Sequence, residues 1–267
     1  MSKNLYIVPY DFTPVSQKAL EYALFLGKHV DTEILLLHLA PDKTKGMVMK
    51  NKLDDLKETI KAPIGVDITT LTHVGNIFTD IGKIAKEKHA QLIIMGTHGK
   101  RGLQSLTGSY AMKVVTSAEC PFLIVQKETK VEEIKSVIVP IDLTKESMQI
   151  IHIAGDMAHM LKAKVLVLAE KQSDQILNQR IVNRISIVKD SYEERKNDAE
   201  VHMVKKGNYG KRIIEHVKNN DGGMIAIAYH TESLLPQFDS FAQNLMMNKE
   251  ALPFLIVNSK LASSLYF

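Results

Sequence analysis

Apolar positions along this chain fall into short runs that alternate with stretches of helical spacing. Leu5 to Pro9 reads as a buried strand and Ile34 to Leu39 as a second, an apolar run of the kind a central parallel strand needs. Val66 to Thr72, Gln91 to Met95 and Phe122 to Gln126 give three more. Between the first two, Thr13 offers an N-cap with Pro14 at the first helical position, and Ala19, Tyr22, Ala23, Leu26 and Val30 follow at helical spacing. Further helices are expected over Met47 to Ile60, from Gly75-Asn76 through Lys88, and over Ser109 to Ser117. Strands alternating with helices predict an α/β fold, a parallel sheet covered on both faces and joined by right-handed crossovers.

The pattern is written twice. Val8-Pro9-Tyr10-Asp11-Phe12-Thr13 reappears as Val139-Pro140-Ile141-Asp142-Leu143-Thr144, an offset of 131. Gly75-Asn76 reappears as Gly207-Asn208, and Pro121-Phe122-Leu123-Ile124-Val125 as Pro253-Phe254-Leu255-Ile256-Val257, both at 132. Anchors spread along each half in one register indicate a duplication. They predict a first domain over residues 1–128, a linker over 129–134 and a second domain over 135–260.

Composition narrows the function classes. A net charge of +4 among 34 basic and 30 acidic side chains, scattered rather than blocked, gives little support to nucleic-acid binding. Cys120 is the single cysteine, so an intrachain disulfide and a thiolate zinc cluster are both excluded; its apolar setting predicts a buried, inert thiol. The chain enters a strand pattern at once, without signal-peptide architecture. No apolar run approaches the roughly 20 residues that span a bilayer. A cytoplasmic protein without a membrane partner is expected.

The chemistry concentrates in Gly96-Thr97-His98-Gly99-Lys100-Arg101-Gly102, followed by Gly108-Ser109. A strand leading through glycines into a helix can hold phosphate, because glycines let backbone amides approach an anion and the helix start adds unpaired N–H donors. In such sheets ligands bind outside the carboxyl ends of the strands, near the switch in strand order. Asp11 follows the first strand and the Gly96 loop follows the fourth, so both are expected at one edge.

These residues together resemble the universal stress protein family, whose nucleotide-binding pattern is glycine, two residues, glycine, nine residues, then glycine with serine or threonine. Gly96, Gly99 and Gly108-Ser109 match it, with eight residues in the longer gap. The resemblance implies two tandem Rossmann-like, adenine nucleotide alpha hydrolase-like domains, each a five-stranded parallel sheet. It also implies that the two pair through their last strands as an intrachain pseudo-dimer, with a further homodimer of chains open. Carried over by position, it implies adenine contacts from Pro9, Tyr10 and Asp11 and backbone contact near Leu39. Phosphates would meet Gly96, His98, Gly99, Gly108, Ser109 and Tyr110; Met95 joins the cofactor-binding set, and Lys100 and Arg101 offer mobile positive charge nearby. The implied ligand is ATP or AMP, with Mg2+ left open. At the same offset the second copy holds Ala228, Thr231, Ser240 and Phe241 where the first holds Gly96, Gly99, Gly108 and Ser109, so it is not expected to bind ATP in the family's manner.

Blander readings stand beside these. The glycines can serve tight turns, and Asp11 can be a turn or cap residue ahead of its helix, the role Asp142 is expected to fill. His98 and His230 lack a second ligand at recognised spacing, so loop hydrogen bonding or a phosphate contact is favoured over a metal. Leu245-Met246-Met247 reads as core, and Gln175 to Lys196 as an amphipathic helix with a solvated end at Glu193-Glu194-Arg195-Lys196. The tail from Leu261 to Phe267 can dock or fray. No nucleophile–base pair and no paired carboxylates are evident. The leading reading is therefore a stress-response regulator that binds an adenine nucleotide; the alternatives are a slow ATP hydrolase or nucleotidyl-handling enzyme, and a ligand-free scaffold.

Overall fold

Five apolar runs in each half become parallel strands, and the segments between them become the helices that cover them. The computed structural model describes residues 3–97, 108–219, 223–229 and 239–258. The chain divides into two units, Met1–Val131 and Glu132–Phe267. The first contains β1 (Asn4–Pro9), α1 (Pro14–Leu26), β2 (Thr32–Ala40), α2 (Lys43–Thr59), β3 (Val66–Val74), α3 (Ile77–Glu87), β4 (Leu92–Thr97), α4 (Gly108–Val115) and β5 (Phe122–Gln126). Its strand order is β3-β2-β1-β4-β5, parallel throughout. This is the α/β architecture expected from the alternation.

Register matters most at the carboxyl edge. Pro9, the last residue of β1, lies opposite Leu37, whereas β2 and β3 stay paired to Ala40 and Val74. β1 therefore stops three residues short of its neighbour, and a step opens where the strand order reverses. Beneath the step the sheet is dry: Ile7, Val8, Leu36, Ile93 and Ile94 are fully buried.

Local chemistry explains where elements differ from the periodicity. Thr13 caps α1 by accepting from the Ser16 amide, with Pro14 in the first turn. The helix stops at Leu26, where the Gly27 amide returns to the Ala23 carbonyl; Val30 lies beyond it, in the turn to β2. α2 begins four residues before Met47 because the Asp42 side chain accepts from the Lys45 amide at 2.8 Å, a cap that outweighs the weak propensity around Gly46. β4 continues past Met95 through Gly96 and Thr97, which pair with Val125 and Gln126. Gly96 is thus a strand residue and not a loop residue.

The second unit contains β6 (Ser136–Ile141), a 3-10 turn over Glu146–Met148, α5 (Ile151–Leu161), β7 (Lys164–Glu170), α6 (Gln175–Glu194), β8 (Ala199–Val204), α7 (Tyr209–Asn219), β9 (Met224–Tyr229), α8 (Asp239–Met246) and β10 (Phe254–Asn258). Its strands run parallel in the order β8-β7-β6-β9-β10, the same topology. Leu245, Met246 and Met247 are core, as read. On α6, Ile181, Ile185 and Val188 face inward, but Ile176 is exposed. Residues Glu193 to Lys196 are solvated, and Arg195 pairs with Asp156.

Candidate functional site

The step at the end of β1 is built by the four residues, Tyr10 to Thr13, that turn the chain into α1. The Tyr10 amide donates to the Leu37 carbonyl at 2.8 Å, holding the turn against β2. Its ring is buried, and its hydroxyl donates to Gln17 Oε1 at 2.6 Å. Burial, helped by Asp11 and Glu21, raises the phenol's pKa and keeps that hydroxyl a donor. Asp11 Oδ1 accepts from both the amide and the hydroxyl of Thr13, while the Asp11 amide donates to Ser16 Oγ at 3.3 Å. Phe12 takes a left-handed φ of 64° and sets its ring edge-on to Tyr10. The turn is fastened at every residue, which places the exposed Asp11 carboxylate at the mouth of the step.

The step is a crevice of about 360 Å3. Its walls are Pro9, Tyr10 and Asp11 after β1, Val15 and Ser16 of α1, Leu37 to Leu39 with Pro41 from β2, Gly75 to Ile77 at the start of α3, and Met95 and Gly96 of β4. That volume lies within the range of small-molecule sites. Leu37 turns its carbonyl toward β1. Peptide groups alternate along a strand, so Leu39 faces the same way, beyond the point where β1 has ended. Its amide and carbonyl are therefore offered to the crevice.

Of the sequence-predicted site residues, the structure brings together Pro9, Tyr10, Asp11, Leu39, Met95 and Gly96. Gly108, Ser109 and Tyr110 form the first turn of α4. His98, Gly99 and Lys100 lie outside the described residues, as do His230, Thr231 and the tail from Leu261. Gly96 lines the crevice, and its lack of a side chain has a packing cause. A Cβ there would lie 2.2 Å from the Val15 carbonyl oxygen and 2.9 Å from Val15 Cβ, so α1 packs directly on the strand. For Gly96 the tight-turn reading fails, because it is a paired residue of β4 whose missing side chain admits α1.

His38 was missed. Its Nδ1 lies 2.8 Å from the Tyr10 carbonyl, which can only accept, so Nδ1 carries the proton and Nε2 is left for another partner. The signal was the one polar residue inside the apolar run Leu35-Leu36-Leu37-His38-Leu39. Asn76 and Ile77 were also missed as lining residues, because Asn76 was read as a helix start. It is one: its Oδ1 accepts from the Phe78 amide at 2.8 Å.

Other expectations resolve more simply. Asp142 makes the same turn as Asp11, accepting from the Thr144 amide and hydroxyl. Cys120 is part-exposed as a residue, but its thiol is buried enough to be pushed up to about 12. Among the described residues no group of three or more histidine, cysteine or acidic side chains could hold a metal, and no helix is long and apolar enough to cross a membrane.

A five-stranded parallel sheet of order 3-2-1-4-5 with a crevice at its switch point defines a Rossmann-like α/β protein. Residues 6–126 match the model of the universal stress protein family. A universal stress protein of Methanocaldococcus jannaschii is 31% identical over 147 residues, covering 48% of this chain and 86% of that protein. Universal stress protein YxiE of Bacillus subtilis is 29% identical over 146 residues, covering 46% of this chain and 99% of its own length. A solved universal stress protein from Archaeoglobus fulgidus shares the fold across 97% of this chain and 100% of its own, with a TM-score of 0.74 at 16% identity. The chain belongs to the universal stress protein family.

Proposed function

We propose that the first unit binds one adenine nucleotide, ATP or AMP, and that the bound nucleotide is a regulatory signal rather than a substrate. The observation that carries this is the crevice at the end of β1, where Leu39 offers a backbone donor and acceptor to a planar base and Asp11 offers a carboxylate to a ribose hydroxyl or an exocyclic amine. Pro9, Tyr10, Met95 and Ile77 supply the apolar walls that a purine requires. The start of α4 at Gly108-Ser109 gives the phosphates a helix N-terminus. Asp11 is the only carboxylate among the described lining residues, and His38 is the only histidine. Among the described lining residues Ser16 Oγ donates to the Thr13 carbonyl and Asp11 accepts from Thr13, an arrangement that suits recognition better than turnover.

Calorimetry with ATP and AMP, together with mass spectrometry of what copurifies, tests the reading. One adenine nucleotide per chain, released intact after prolonged incubation, is expected. Steady conversion of ATP to ADP or AMP, lost in Asp11→Asn, would make the site an enzyme's. Absence of any adenine-nucleotide binding by the folded chain would leave a ligand-free scaffold.

A further inference from the structure

The duplicated register allows the same crevice to be followed into the second unit. Ile77 corresponds to Tyr209: each follows the asparagine that caps its helix, Asn76 before α3 and Asn208 before α7. The strand pair Pro9·Leu37 corresponds to Pro140·Leu168. In the first unit Ile77 stands in the crevice wall. In the second, the Tyr209 side chain crosses to the sheet edge. Its hydroxyl donates to the Leu168 carbonyl at 2.6 Å and lies 3.3 Å from the Ile141 carbonyl. Burial, with Asp142 and Glu170 nearby, raises the phenol's pKa, so the hydroxyl remains a donor.

One further residue packs on the ring, and another braces the neighbouring turn. Phe241 of α8, at the position of Ser109, stacks on the Tyr209 ring with centroids 6.0 Å apart and planes 14° apart. Arg184 of α6 donates to the Asp142 carbonyl at 2.7 Å and to the Thr144 carbonyl, fastening the turn after β6. An apolar ring with one polar tip is thus seated between the carboxyl ends of β6 and β7, at the edge where a planar ligand would have to lie.

We propose that the residue at position 77 or 209 decides whether each unit's crevice is open, and that the second unit is occupied by the chain's own Tyr209 ring in place of a planar small-molecule ligand. The Ile77 arm rests on the nucleotide reading of the first unit; the Tyr209 arm does not. Truncating Tyr209 removes the ring but leaves Phe241, Leu168 and Ile141 in place, so it creates a ring-shaped site with an acceptor at its end. Deleting this part-buried ring leaves a pocket that the surroundings only partly refill.

The test uses the full chain and p-cresol, which is the tyrosine side chain as a free molecule. Tyr209→Ala should bind one p-cresol per chain by calorimetry. At about ten times the dissociation constant, p-cresol should raise its melting midpoint by roughly 4–7 °C. Wild type and Tyr209→Phe should do neither. Tyr209→Ile, which copies the first unit's residue, serves if the alanine variant does not fold. Ile77→Tyr should weaken ATP or AMP binding about tenfold by overfilling the first crevice. A folded Tyr209→Ala or Tyr209→Ile that takes no p-cresol, or a wild type that takes it equally, overturns the self-occupied second unit. Unchanged nucleotide affinity in Ile77→Tyr overturns the gate at position 77. If wild type binds no nucleotide, the function reading falls together with the Ile77 arm, and the p-cresol result still decides the self-occupied second unit.

Discussion

Replacing Gly96 by alanine separates two meanings of a motif glycine. If Gly96 cradles phosphate, the variant loses affinity and keeps its stability. If it admits α1, the variant loses stability whether or not ligand is present. The added Cβ would meet the Val15 carbonyl oxygen at 2.2 Å, the Val15 carbonyl carbon at 2.5 Å and Val15 Cβ at 2.9 Å. Ordinary contact requires α1 to retreat by about 1 Å along a close-packed face, which interiors resist. Because the obstacle is backbone and not the end of a flexible side chain, the cost belongs in the upper part of the overpacking range, about 2–3 kcal/mol. For a unit of this size that lowers the melting midpoint by roughly 6–15 °C. Urea unfolding measures the loss, and hydrogen exchange resolved to α1 and β4 locates it, with the second unit as internal reference. Exchange should accelerate across Pro14–Leu26 and stay unchanged across Ile151–Leu161. A variant with wild-type midpoint and exchange, but without nucleotide binding, would refute the packing argument and favour the phosphate reading.

Three further outcomes follow from the same geometry. Asp11→Asn keeps the oxygen that accepts from Thr13, so stability should hold while nucleotide affinity falls about tenfold through loss of a charge-assisted bond; unchanged affinity in calorimetry would reduce Asp11 to the turn role of Asp142. Cys120, with its thiol pushed up to about 12, should be alkylated by iodoacetamide at pH 8 about a thousandfold more slowly than a free cysteine, and a rate near the peptide value would contradict its burial. His216 has its pKa lowered by burial and by His202, whose ring centroid lies 4.8 Å away. The unfolded chain therefore takes up this proton first as pH falls, so stability is retained above about pH 6.5 and declines as pH drops below it, and a urea-midpoint slope on that acid side that is unaltered in His216→Leu would remove His216 as its source.

Strand positions were legible in the sequence because a central parallel strand is buried on both faces and reads as an unbroken apolar run. Phe122 to Gln126 matches β5 residue for residue. Element ends were less legible, because they depend on single hydrogen bonds: the Asp42 cap moves the start of α2, and the Gly27 amide stops α1 before Val30. The crevice was half legible. Asp11 and Pro9 stood out as repeated residues, but His38 was hidden inside an apolar strand, and Ile77 looked like any helix residue. Gly96 illustrates the harder limit. Its identity is set by Val15, far away in the chain, and a local pattern of glycines carries no trace of that contact.

The two copies also show why the edge residues cannot change one at a time. Where the first unit has Gly96 the second has Ala228, at the matching place in β9 opposite Val257. That methyl group is tolerated because the second unit does not bring a regular helix onto the strand. Glu146 to Met148 form a 3-10 turn that rests on β9, and α5 begins only at Ile151. Proline at the first position of α1 fixes the regular start that Gly96 must accommodate; Lys145 stands at that position in the second unit. An alanine in β4 without a displaced helix start collides, whereas a displaced start without the alanine leaves a void about the size of a methyl group. The strain in Gly96→Ala should therefore be relieved in part by Pro14→Lys. The double variant is expected to be at least about 1 kcal/mol more stable than the sum of the single losses predicts, as coupled neighbours are. Strict additivity would show that α1 and β4 yield independently, and the helix start in the second unit would then need a different cause.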